Sequence, residues 1–599
     1  MDGKIPKRSE VQKEYTWNLA DIFENDEEWE KAYENCLEIP ARLGAYKGKI
    51  SKSAEALYSF LCDCDECGMR LSALYRYASL KGDEDTALGK YQEMTGRAYS
   101  LFVTLGSETA FSEPEILSID DKTLERFYSD EPKLALYRRH IDRTRSMRAH
   151  VLSEAEEKIL ALAGEIGRAP EDIFSKFNDA DMRFPSVSTP DVRRELTHGN
   201  FIPMMKNADR NVRRDAFKKL YKTYKSYENT SAAILDAQLK QQTFFARARN
   251  FKDNITAALE PNEVPVKVYE SLIQAVNEGL PSMHRYVSLR KKLLGYDTLH
   301  MYDLYLPIVG EEDEEVTYET AKENCLAALC PLGKDYLRII KEGFDNRWID
   351  VYENKGKRSG AYSAGARPHP YVLMNYKNTL DCQFTLIHEM GHSLHSYLSK
   401  EKQPAVYSDY VIFVAEVAST CNEVLLMKYL LSKTQSRARR AYLIDYFLEQ
   451  FRTTLFRQTM FAEFELEINR RSEKGVTLTA ETLNEIYYGL NKRYYGKDMV
   501  IDREIESEWA RIPHFYYDFY VYQYATGFSA AVALANRILE EGESAAKDYL
   551  GFLSGGCSLD PVSLLRGAGV DMESPEVVRD AIKFFDELID EFENLTSDR

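Results

Sequence analysis

The chain is short of helix breakers and of positive charge. Of 599 residues only 19 are Pro and 30 are Gly, so long uninterrupted helices and a mostly α fold are expected. Lys and Arg number 78 against 96 Asp and Glu, a net charge of −18 at pH 7. Phosphate binding needs a basic face, so nucleic acid is excluded as a default partner, and an anionic membrane surface on the same ground. No apolar run approaches the roughly 18 residues of a membrane span; Val411 to Ala415 is typical of those present. The opening MDGKIPKRSEVQKEYTW has no apolar stretch behind its charges and does not read as a signal peptide. The expected location is cytoplasmic. The nine Cys are odd in number and irregular in spacing, which implies no disulfide framework. A chain of this length can bury about 75% of its unfolded surface and needs none.

The helical pattern is strongest in two places. From Ala208 to Phe251, Phe217, Leu220, Tyr221 and Tyr224 recur at steps of three and four; from Glu576 to Leu595, Ile582, Phe585, Leu588, Ile589 and Phe592 form one stripe. The cluster Cys62, Cys64 and Cys67 has no fourth thiol or His nearby and sits in a segment that reads as one helix, not a metal site. Prolines at 185, 190 and 203 flank a β-like run, which predicts a small hairpin at a boundary. An N-terminal helical lobe is accordingly placed at 1–204 and a second domain at 205–599. Tyr371 to Tyr376 reads as a short strand after a breaker-rich stretch, and the acidic run Glu311 to Glu315 as a solvated loop.

The chemistry concentrates at His388-Glu389-Met-Gly-His392. Two His at i and i+4 lie about 40° apart around a helix, so both rings face one way. That spacing suits a tetrahedral Zn²⁺, with Glu389 close enough to hold a water and take its proton. Five of the ten His (His369, His388, His392, His395 and His514) lie near this segment or in the aromatic stretch downstream. Position 395 is His and 398 is Leu, so the HExxHxxGxxH pattern is excluded and the third ligand must come from elsewhere. The candidates are Glu401, Asp409, Glu416 and Glu423. Glu416 is a lone carboxylate inside Val411-Ile-Phe-Val-Ala-Glu-Val-Ala418, where an acid must be paired or bound to a cation; it is the expected third ligand. Glu401 and Asp409 read as a surface loop and a helix N-cap. Glu423, seven residues on, is placed to accept a hydrogen bond from a ligand His. His395 reads as a nearby hydrogen-bonding residue, because a fourth protein ligand would fill the position water needs.

Between His514 and Tyr524 lie five Tyr. On a helix, 514, 517, 521 and 524 share a face, so His514, Tyr517 and Tyr524 could point together at a substrate and donate to a tetrahedral oxyanion. Aromatic core packing is the competing explanation, since Tyr supplies 40 of the 599 residues.

With these motifs in hand, the sequence resembles the M3 family of zinc metallopeptidases, in the oligoendopeptidase F branch; thimet oligopeptidase and neurolysin are more distant relatives. Tyr15-Thr-Trp17-Asn-Leu19, Gly360-Ala-Tyr362-Ser363, Pro370-Tyr371-Val-Leu-Met-Asn375, Phe413-Val-Ala-Glu416-Val-Ala-Ser419 and His514-Phe-Tyr-Tyr517 are similar to that branch's motifs. The resemblance covers almost the whole chain, with a weaker match at Gly567 to Met572. It implies a two-lobed helical metallopeptidase with a deep substrate channel, a small β element near the active site, one Zn²⁺ per chain and short peptides as substrates. It implies His388, His392 and Glu416 as zinc ligands, Glu389 as the base, and His514, Tyr517 and Tyr524 on the substrate or oxyanion. The stretch between His514 and the tyrosines is shorter than in thimet oligopeptidase, which leaves Tyr520 and Tyr522 as competitors. The segment Gly360 to Asn375 would offer a strand edge to an extended peptide. The expected activity is hydrolysis of internal peptide bonds by metal-activated water. A helical zinc carboxypeptidase and a non-catalytic peptide-binding helical protein are the alternatives.

Overall fold

The computed structural model describes residues 5–189, 192–310 and 315–597. Helices dominate, as the scarcity of breakers predicts, and among the described residues the sheets are small: two of two strands and one of three. Contacts divide the chain into two interleaved units. One comprises Met1–Ala149, Glu314–Leu426 and Leu534–Gly569; the other comprises His150–Asp313, Met427–Ala533 and Val570–Arg599. Residue 204 lies inside the helix His198–Met205.

In the first unit a core of buried aromatic and aliphatic side chains runs from Trp17 and Trp29 through Leu57, Leu71 and Leu74 to Tyr371 and Leu373. Its longest helix, Ala54–Glu84, starts at Ser53, whose side chain accepts from the Ala56 N–H, and carries Cys62, Cys64 and Cys67 as expected. Arg42 donates to the Cys67 sulfur at 2.8 Å. The three-stranded sheet places Tyr371–Leu373 centrally, all three residues buried, with Ile349–Asp350 parallel on one side and Tyr362–Ala364 antiparallel on the other. Tyr362–Ala364 is therefore an edge strand.

In the second unit the 208–251 stretch is two helices, Arg210–Ser226 and Glu228–Ala248, interrupted at Tyr227. The predicted stripe Phe217, Leu220, Tyr221 and Tyr224 is buried. The predicted hairpin pairs Ser186–Ser188 with Arg193–Glu195, Val187 opposite Arg194; Pro190 lies outside the described residues, as do 311–314 of the acidic run. The helix Glu576–Thr596 buries Ile582, Phe585, Leu588, Ile589 and Phe592 on one face. Among the described residues no helix is long and apolar enough to cross a membrane.

Candidate metal centre

The helix Leu380–Lys402 is opened by Thr379, whose side chain accepts from the Cys382 N–H, and closed by Lys400 and Lys402 before Gln403. It carries His388, Glu389 and His392, and also Glu401, which lies in its last turn and not in a loop. Against it runs the helix Ile412–Lys433, which carries Glu416 and Glu423. The two backbones meet at Gly391: a Cβ there would sit 2.5 Å from Ser419 Cα and 2.8 Å from Ala418 O. Glycine is required for this crossing because any side chain would strike main-chain atoms. The buried Asn422 ties the same crossing, donating to the Ile387 carbonyl at 3.3 Å and accepting from the Tyr336 hydroxyl at 3.0 Å.

The crossing brings three ligand atoms together. His388 Nε2 and His392 Nε2 are 3.2 Å apart, and Glu416 Oε2 lies 3.4 Å from the first and 3.8 Å from the second. A tetrahedral ion with bonds of about 2.0–2.1 Å separates its ligands by about 3.3 Å. The second nitrogen of His388 is committed, since Nδ1–H donates to the Glu423 carboxylate, and the His392 ring is hydrogen-bonded to the Ala415 backbone. Both Nε2 atoms thus face one another and a carboxylate oxygen. Two imidazole nitrogens and a carboxylate oxygen at these separations are a donor set that fits zinc. Among the described residues this is the one trio of metal-ligating side chains close enough to share an ion.

The surroundings are electronegative. Burial disfavours a charged His388 ring, but the bond to Glu423 and the carboxylates of Glu389 and Glu416 outweigh it and bring the ring up to about 9. Burial and the neighbouring His388 push His392 down to about 3. Glu389, only 7% exposed, is pushed up to about 7 by burial, against His388 and a hydrogen bond from the Ser363 backbone. A divalent ion in the trio would pull it back down. The Ser363 contact joins the edge strand Tyr362–Ala364 to the metal helix, as does the 2.8 Å bond between the Ser363 and Ser393 hydroxyls.

The apolar enclosure expected around Glu416 is incomplete: its side chain is 29% exposed, although Phe413, Val414 and Val417 are buried. His395 is buried and stacks on Tyr410, ring centroids 3.7 Å apart, and its Nδ1 has no hydrogen-bond partner; it packs instead of bonding. Asp409 is not the expected helix N-cap: it lies three residues ahead of the helix Ile412–Lys433 and pairs with Lys400 at 2.8 Å. His369 stacks on Trp348 and pairs with Asp21 at 3.1 Å, outside the trio.

In the other unit, 514–524 is not the continuous helix expected. A short 3₁₀ turn, Pro513–Tyr516, is followed by Asp518 and Phe519 with φ of 47° and 56°, and the helix begins at Tyr522. Such left-handed backbone is costly away from glycine and needs external support. The support is visible. The buried Glu465 accepts the Phe519 N–H at 2.8 Å, Gln238 donates to the Tyr516 carbonyl at 3.1 Å, and Gln242 donates to the Asp518 carboxylate. The break still gathers His514, Tyr517, Tyr520 and Tyr524. Ring centroids of the last three lie 5.7, 6.0 and 5.9 Å from that of His514, and Tyr517 is 44% exposed. Tyr522 is buried against Tyr269, which removes it from the competition. The aromatic cluster, with polar tips and partial exposure, is suited to donate hydrogen bonds to a ligand.

Comparison with known proteins agrees with this chemistry. A sequence model of peptidase family M3 matches residues 203–584, and one of oligopeptidase F matches residues 115–184. Oligopeptidase PepF of Bacillus subtilis is 48% identical over 595 residues, covering 99% of this chain and 89% of that protein. An oligoendopeptidase F homolog of Lactococcus lactis is 41% identical over 98% of both chains. The crystal structure of oligoendopeptidase-F from Enterococcus faecium superposes with a TM-score of 0.75 at 38% identity, covering 96% of this chain and 100% of that one.

Proposed function

Since the chain belongs to peptidase family M3 and is a metallo-oligopeptidase, we propose that it is a zinc-dependent endopeptidase cleaving internal bonds of short oligopeptides, with Glu389 as general base. One observation carries the reading: His388 Nε2, His392 Nε2 and a Glu416 oxygen converge at separations one ion can bridge, and Glu389 follows His388 on the same helix. His388, His392 and Glu416 would hold one zinc ion. Bound there, zinc supplies the Lewis-acid charge that makes water a nucleophile near neutral pH and polarises the scissile carbonyl.

The residues of the chain do the rest. Glu389 takes the proton of the attacking water and returns it to the leaving amine. Glu423 fixes the His388 ring with its Nε2 toward the trio. The edge strand Tyr362–Ala364 would offer an extended peptide the free backbone groups of its outer edge other than the Ser363 N–H that faces Glu389. His514, Tyr517 and Tyr524 donate to the oxyanion, with Tyr520 as the alternative donor. No covalent intermediate is required, so no Ser or Cys nucleophile is assigned.

The test is incubation with a short peptide blocked at both termini, with zinc, with chelator, and with zinc restored. The expected result is a cut between internal residues that chelator abolishes and zinc restores. A carboxypeptidase or a non-catalytic binder would leave the peptide whole, and an intact peptide would overturn the reading.

A further inference from the structure

The helices Ala54–Glu84 and Gly89–Thr109 and the edge strand Tyr362–Ala364 line a cavity of about 810 Å³ in the first unit. Its wall reaches Ser363, whose backbone bonds Glu389. Three charged side chains line it: Arg76, Asp83 and Arg358. Two of them are engaged. Arg358 lies 3.5 Å from the Asp83 carboxylate, which also accepts from the Tyr362 hydroxyl at 2.5 Å.

Arg76 is different. It is half-buried, and it also borders a second cavity of about 260 Å³. The carboxylates on that second wall are occupied: Asp65 accepts from the Tyr137 hydroxyl at 2.8 Å, and Asp409 is paired with Lys400. Among the described residues the Arg76 guanidinium forms no ion pair and no hydrogen bond. A guanidinium is a rigid fork of donors matched to a carboxylate, and on this cavity wall the Arg76 fork is not committed to one. Here the fork stands beside the strand that leads to Glu389.

We propose that Arg76 anchors a carboxylate of the bound peptide, either its α-carboxylate or an Asp or Glu side chain, and so gives the enzyme a preference for acid-bearing substrates. The proposal rests on the peptidase reading above. The substrate class follows from the recognition chemistry: a planar anion, carried by a peptide short or extended enough to reach from the 810 Å³ cavity to the scissile bond.

The experiment uses the full-length zinc-loaded enzyme and a quenched fluorescent peptide of uncharged residues, acetylated and amidated at its ends. One set of variants frees the C-terminal carboxylate; another places a single Asp at each position in turn. The wild type should cleave at least one acid-bearing peptide about tenfold or more better than the parent in kcat/KM, the scale of a charge-assisted hydrogen bond. In Arg76→Gln that ratio should fall toward one, chiefly through KM, with Arg76→Lys in between because it keeps the charge and loses the fork. A response to the freed terminus identifies the α-carboxylate, and a response to one Asp position identifies a side-chain subsite. A ratio near one throughout the wild-type series, or one that Arg76→Gln and Arg76→Lys leave unchanged, would overturn the assignment. If no peptide in the series were cut, the peptidase reading would fall and the assignment with it.

Discussion

Replacing Gly391 with Ala sets two effects of opposite sign against each other. Within an isolated helix Ala is favoured over Gly by about 1 kcal/mol. Across the helix crossing, the new Cβ would stand 2.5 Å from Ser419 Cα and 2.8 Å from both Ala418 O and Ser419 N. These are main-chain atoms and cannot rotate away. Restoring ordinary contact requires the helices Leu380–Lys402 and Ile412–Lys433 to separate locally by about 1 Å. Overpacking of this kind costs about 1–3 kcal/mol, which exceeds the propensity gain. The functional cost is larger, because metal–ligand distances tolerate only about 0.2 Å. A 1 Å displacement carries Glu416 off the trio and Glu423 off His388. Gly391→Ala should therefore bind zinc at least about tenfold more weakly and lose activity in proportion, with Tm unchanged or lowered. Calorimetric zinc titration and thermal unfolding of the metal-depleted protein measure the two effects separately. A raised Tm with wild-type zinc affinity would refute the argument that this crossing sets the site's geometry.

Three further outcomes follow from the same geometry. Glu389→Gln should retain zinc and lose about 10²–10⁴ in kcat, read by metal analysis alongside peptide turnover; appreciable turnover would remove Glu389 as the base. Glu423→Ala should cut zinc affinity by about 10–100-fold while leaving the three ligands in the chain, and unaltered affinity would deny it the role of orienting His388. Glu465 accepts the Phe519 N–H, and burial pushes its carboxyl up to about 8, so it is a neutral acid at pH 7 and Glu465→Gln should be tolerated. Glu465→Leu should lower kcat about tenfold or more by releasing the turn that carries His514 and Tyr517, with zinc affinity unchanged; equal kcat in the two variants would contradict that role.

The grouping of His388, His392 and Glu416 is legible in the sequence and the break in the aromatic segment is not, for physical reasons. His388 and His392 are encoded by helical period alone, and a one-turn repeat survives any tertiary context. The apolar run around Glu416 points to the residue, but its partial exposure shows that burial alone does not force a cation onto it. The break at Asp518 and Phe519 has no local signature, because neither residue is a glycine or a proline. It is held by Glu465, Gln238 and Gln242, which lie far away in sequence. Gly391 did leave a signal, a glycine in mid-helix inside the metal motif, but what it must accommodate is visible only once Ser419 is placed. The interleaving of the two units likewise arises from contacts between distant segments, which a linear reading for breakers does not register.

The claim on which everything else depends is that His388, His392 and Glu416 share one ion. Zinc titration of the metal-depleted wild type and of Glu416→Ala, followed by calorimetry, addresses it directly. The account predicts one tight equivalent per chain in the wild type and a markedly weaker one in the variant, whereas equal affinity and stoichiometry in both would contradict it.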